Sequence, residues 1–89
     1  MNILVKSQWK LAPNGLRAYR VVLWRRRHSC HPYVVHYQGD GSCGVHMDND
    51  LWTGSYLTTI KEAAEVFSER CKMHGLKDEY SPEVTYNEL

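Results

Sequence analysis

The residue types best equipped for chemistry in this 89-residue chain are cysteine and histidine. His28, Cys30 and His31 cluster in one short stretch, and Cys43-Gly44-Val45-His46 forms a Cys-x-x-His pair. Thiolate and imidazole are zinc ligands, and a structural zinc takes four of them in a tetrahedron. Two neighbouring loops of a hairpin could bring these residues together. However, Pro32 follows His31 directly, the spacing matches no common finger, and Cys43 stands in a glycine-rich turn. No metal and no other cofactor is therefore expected. The same side chains could pair as thiolate and imidazole for nucleophilic catalysis, yet no nucleophile, base and oxyanion donor converge in the sequence. Asp48 and Asp50 are acids of a turn, the place where Asp most often only shapes the backbone. Cys71 falls on an apolar helical stripe and reads as a small core residue. The chain is read as a non-enzyme.

Arginine and tryptophan form the second chemical grouping. Tyr19 to Arg27 is built from β-branched, aromatic and arginine residues without a breaker, the composition of a strand. Alternation sets Tyr19, Val21 and Leu23 on one face and Arg20, Val22, Trp24 and Arg26 on the other. A face of that kind can contact phosphate and stack on bases. Charge along the chain supports such a partner. Residues 1–39 carry +7 with no Asp or Glu, and residues 40–89 carry −6, although the whole chain is only +1. A split of this size marks a basic surface for a polyanion or an acidic partner. The candidate contact residues are Arg20, Trp24, Arg25, Arg26, Arg27 and His36, with His46 near them. Arginine and tryptophan are also enriched in protein–protein hot spots. A protein partner is accordingly the second candidate, met by the acidic residues Glu62, Glu65 and Glu69.

The elements that must position these residues follow from pattern. A first strand is predicted from Ile3 to Trp9, and Pro13-Asn14-Gly15 is a turn because Asn-Gly supplies positive φ. His28 to Pro32 connects to a strand from Tyr33 to Gln38, with Tyr33, Val35 and Tyr37 opposite Val34, His36 and Gln38. Gly39-Asp40-Gly41-Ser42 is a turn, Val45 to Asp48 a further strand, Asp48-Asn49-Asp50 a turn, and Leu51 to Leu57 a final strand weakened by Gly54. Thr59 and Glu62 form a capping box. Ile60, Ala63, Ala64, Phe67 and Cys71 then recur at helical spacing, Gly75 stops the helix, and Leu76 folds back on it. Val84 and Tyr86 alternate in the polar tail.

The expected architecture is α+β: an antiparallel sheet of three to five strands with one C-terminal amphipathic helix packed on one face. Residues 1–76 make one domain and 77–89 a polar tail. A helix over one face leaves the other open, which an antiparallel sheet tolerates. No apolar run is long enough to span a bilayer, and no export signal opens the chain. Three cysteines, an odd number, argue for reduced thiols and a cytoplasmic protein rather than a disulfide framework. Either a monomer or a homodimer joined through the aromatic face fits these features.

Gly54-Ser55-Tyr56 followed by Thr59-Ile60-Lys61-Glu62-Ala63 resembles the passage from last strand to helix in AP2-like and integrase arm-type DNA-binding domains. The resemblance spans Tyr33 to Cys71 and implies that the sheet, not the helix, meets DNA. One departure is that Asp48 and Asp50, beside His46, set acidic charge near a surface that would face phosphates. In size and build the chain is also similar to the short accessory proteins of phages and plasmids, anti-CRISPR proteins among them. That likeness implies a non-catalytic protein that binds nucleic acid or blocks a host defence complex.

Overall fold

The computed structural model describes residues 2–27 and 30–76. The predicted loop residue His28 and the tail 77–89, with Val84 and Tyr86, lie outside the described residues. Five strands and one long helix follow one another as β1 (Asn2–Lys6), β2 (Lys10–Leu11), β3 (Ala18–Arg25), β4 (Tyr33–Gly39), β5 (Leu51–Leu57) and α1 (Ile60–His74). All strand pairings are antiparallel, in the order β1-β3-β4-β5, with β2 also paired to β3. The α+β architecture expected from the pattern is the one observed.

Alternation decides which side chains reach the helix. Val5, Val21, Leu23 and Val35 meet Ala63, Phe67, Cys71 and Leu76 in one core, with Tyr19, Tyr33, Tyr37 and Ile60 packed around it. Phe67 and Leu23 are fully buried, and each contributes on the order of 1.5–3 kcal/mol by leaving water. At the start of α1, the hydroxyl of Thr59 accepts from the Glu62 amide at 3.2 Å. At its end Gly75 takes the left-handed conformation, φ 65°, and the Leu76 amide donates to the Cys71 carbonyl at 2.8 Å. This closing bond brings Leu76 back onto the core.

The strand predicted from Tyr19 to Arg27 runs from Ala18 to Arg25, leaving Arg26 and Arg27 beyond its end. Two further predicted strands differ from the observed ones. The first ends at Lys6 instead of running to Trp9. Ser7 is buried, and its hydroxyl accepts from the Val21 amide at 2.9 Å, so a side chain replaces the backbone acceptor of the ladder. The edge then breaks and resumes as the two-residue β2. Val45 to Asp48 forms no strand; Met47–Asn49 is a short 3-10 helix. Gly41 and Gly44 hold φ 82° and 94°, and Nδ1 of His46 accepts from the Asp48 amide at 3.1 Å. These local bonds satisfy the backbone without a neighbouring strand.

Pairing of β4 with β5 shifts register between Val35 and Tyr37. The bulge carries Thr53 at φ 52°, a conformation costly for a β-branched residue. It also presses Gly54 against the His36 ring, so closely that an added Cβ would collide with Nε2. Arg70 reaches from α1 into this region. It donates to the Ser55 hydroxyl at 2.7 Å and to the Val35 carbonyl at 3.4 Å, and its guanidinium lies 4.9 Å from the Tyr37 ring centre. Burial lowers its pKa from the usual arginine value. The helix is thus clamped to both β4 and β5 by a cation as well as by apolar contact.

Candidate nucleic-acid interface

On the sheet face away from α1, β3 presents Arg20, Val22 and Trp24, and β4 presents Val34, His36 and Gln38, because cross-strand partners share a face. Tyr56 of β5 joins them through its pairing with Val34. The rings and guanidinium groups on this face lie against one another. Trp24 donates its indole N–H to Nδ1 of His36 at 3.0 Å, with the two rings inclined by 21°. His36 meets Tyr56 edge to face at 5.9 Å, and the guanidinium of Arg26 lies 4.7 Å from the Tyr56 ring centre. Towards the other end, Arg20 donates through Nε to Gln38 Oε1 at 2.8 Å and lies 4.4 Å over Trp9.

Burial separates positioning residues from presenting ones. Arg20 is 5% exposed and His36 8%, and Val22, Val34 and Gln38 have no exposed surface. An indole N–H only donates, so Nδ1 of His36 accepts and a neutral ring carries its proton on Nε2. Burial first, then the charges of Arg70 and Arg26, lower the His36 pKa. Arg20 and His36 therefore hold the aromatic layer in shape. Trp24 and Arg26 are half-buried, while Tyr56 is 51% exposed.

Arg25 ends β3, Arg26 and Arg27 follow it, and the three line, with Asn2 and Pro32, an open groove of about 600 Å³. Arg25 pairs with Tyr33, which packs against the helix core, so it projects from the helix side of the sheet and not from the side of Trp24. The three arginines thus surround the sheet's end instead of sharing a face. Arg26 is fixed: its amide donates to the Pro32 carbonyl at 2.8 Å and its Nε to the His31 carbonyl at 3.0 Å. Arg25 and Arg27 are exposed and make no ion pair among the described residues.

The acidic residues among those described stand elsewhere. Asp50 accepts from Arg17 Nη2 with both oxygens at 2.8 Å. Asp40 is held to a pKa of about 2 by hydrogen bonds from Ser42 and from the Ala18 amide. Asp48 is exposed on the 3-10 helix. Glu62, Glu65 and Glu69 are exposed on α1, whose apolar stripe covers the opposite side of the sheet from Trp24. Cys30 and Cys43 are exposed thiols, Cys43 donating weakly to Asp50 at 3.7 Å. Among the described residues no three His, Cys, Asp or Glu side chains are grouped to hold a metal.

A second concavity, not foreseen from the sequence, lies where the helix ends. Ala12, Pro13, Tyr19, Tyr37, Trp52 and His74 line about 280 Å³. The Tyr19 and Tyr37 hydroxyls meet Nδ1 and Nε2 of His74 at 3.1 and 2.9 Å, so one imidazole ties α1 to β3 and β4. The signal was the pair of tyrosines interrupting the valines of the core face, residues whose hydroxyls need partners when buried. No helix among the described residues is long and apolar enough to cross a membrane. Compared with known protein families, curated proteins and solved structures, the chain matches none.

Proposed function

We propose that the protein is a non-catalytic nucleic-acid-binding protein that uses the arginine end of β3 and the adjoining aromatic face. The observation that carries this reading is the groove of Arg25, Arg26 and Arg27 directly beside the exposed ring of Tyr56; Arg25 and Arg27 have no acidic partner among the described residues. Arginines in such a concavity are placed for phosphate oxygens, and the neighbouring rings for bases or sugars. Among the described residues Asp50 is engaged by Arg17, and the helix glutamates lie across the sheet from Trp24 and Tyr56. The resemblance of Gly54-Ser55-Tyr56 and Thr59 to Ala63 to sheet-type DNA-binding domains points the same way. A small accessory protein of phage or plasmid type, acting in the cytoplasm, fits this role.

A mobility-shift assay at low salt tests it. The wild-type chain retards DNA or RNA, and Arg25→Ala with Arg27→Ala weakens retention on many sequences alike. Absence of retention by the wild type contradicts the proposal. A second reading, a protein-partner binder that blocks a host defence complex, rests on the exposed Glu65 and Glu69, which flank a shallow groove with Ala64, Ser68 and Lys72. It requires a stable complex that Glu62, Glu65 and Glu69 changed to Lys abolish.

A further inference from the structure

We infer that the polyanion is a single strand, with its phosphates in the arginine groove and an unstacked base on Tyr56; this rests on the nucleic-acid reading above. The first support is the width of the sheet. The face of Trp24, His36 and Tyr56 is carried by β3, β4 and β5, and β3 and β4 are interior strands flanked by β1 and β5. Strands lie about 4.8 Å apart, so four in a row span roughly 14 Å between their outer axes before side chains are added. A B-DNA major groove is about 12 Å wide and admits a two-stranded ribbon. A sheet of this width is broader than the two-stranded ribbon an undeformed major groove admits, and wide sheets meet duplex DNA where the groove is opened or bent. Against an undeformed duplex, this surface would meet chiefly phosphates, whereas a single strand offers its bases without that deformation.

The second support is the position of Arg26. It lines the groove with Arg25 and Arg27, and its guanidinium also lies 4.7 Å over Tyr56. One residue thus joins the phosphate-binding end to the ring, the proximity that a phosphate and its own base need. Tyr56 is 51% exposed and is steadied edge-on by His36, itself held by Trp24. A steadied, exposed ring next to a cationic groove is the arrangement used for single strands, where every base offers a π-face. In a duplex those faces are buried in the stack.

The sharpest experiment is fluorescence anisotropy with one labelled 12-nucleotide strand, free and annealed to its complement, at one low salt concentration. The free strand should bind at least tenfold more tightly than the duplex. Tyr56→Ala should weaken single-strand binding by about tenfold or more, the loss of one stacked base, and Tyr56→Phe should leave it unchanged. Because Tyr56 is exposed, both variants should keep the wild-type circular dichroism spectrum. Equal or tighter duplex binding overturns the single-strand inference while the nucleic-acid reading stands. Equal loss in Tyr56→Ala and Tyr56→Phe overturns the stacking role. Binding to neither form removes the inference together with the reading beneath it.

Discussion

Trp24 and His36, diagonal neighbours on adjacent strands, are joined by a 3.0 Å indole-to-imidazole hydrogen bond that fixes the His36 tautomer and holds the two rings nearly parallel. The bond requires Nδ1 of His36 unprotonated, and burial already disfavours the charged ring.

Stability should therefore fall as pH drops below the ordinary histidine range. With the folded pKa of His36 lowered, the unfolded chain takes up the proton first. The contribution of the neutral ring is complete above the unfolded pKa near 6.5 and declines as pH falls from there towards the lowered folded value. Urea midpoints at pH 7.5 and pH 5 should differ more for the wild type than for His36→Gln. A lower window belongs to Asp40, whose contribution is present above pH 3.8 and is lost as pH falls towards about 2.

Thr53 should accept asparagine with a gain. Its φ of 52° is unfavourable for a β-branched side chain, and Asn tolerates the left-handed region better. Thr53→Asn should stabilise the fold by roughly 1 kcal/mol, read as a higher urea midpoint at unchanged slope. Gly54→Ala should do the reverse, because the new Cβ meets the His36 ring; the near-ultraviolet signal of Trp24 should change with it.

Arg70→Ala should cost roughly 2–4 kcal/mol, since it strands the Val35 carbonyl and the Ser55 hydroxyl and opens space beside Tyr37. Arg70→Lys should recover only part of this, because a single ammonium cannot reproduce the planar fork. Thermal unfolding of the three proteins checks the order.

Much of the fold was legible because long-period patterns are redundant. Ile60, Ala63, Ala64, Phe67 and Cys71 repeat the helical signal five times, and Thr59 and Gly75 mark its ends. Tyr19, Val21 and Leu23 declared the core face of β3 in the same way. What pattern did not disclose depends on single interactions. Ser7 ends β1 through one side-chain acceptor, and His46 turns the chain where a strand had been expected. Nothing in the helical pattern marks Arg70 as turned inwards, yet beside the register shift between β4 and β5 it finds partners in Ser55 and Val35. The basic-aromatic grouping was legible as composition, and alternation through Leu23 sets Arg25 on the core side, where its pairing with Tyr33 holds it; burial of Arg20 and His36 needed their neighbours' positions.

The salt dependence of binding tests the central claim most directly. With a labelled oligonucleotide titrated at rising salt, the logarithm of the association constant should fall linearly with the logarithm of salt concentration. Replacing Arg25 and Arg27 by Ala should reduce that slope by roughly 0.7–0.9 for each phosphate the protein no longer neutralises. A wild-type protein that binds no oligonucleotide at low salt, or a slope that the double variant leaves unchanged, would contradict the assignment of these arginines to phosphate.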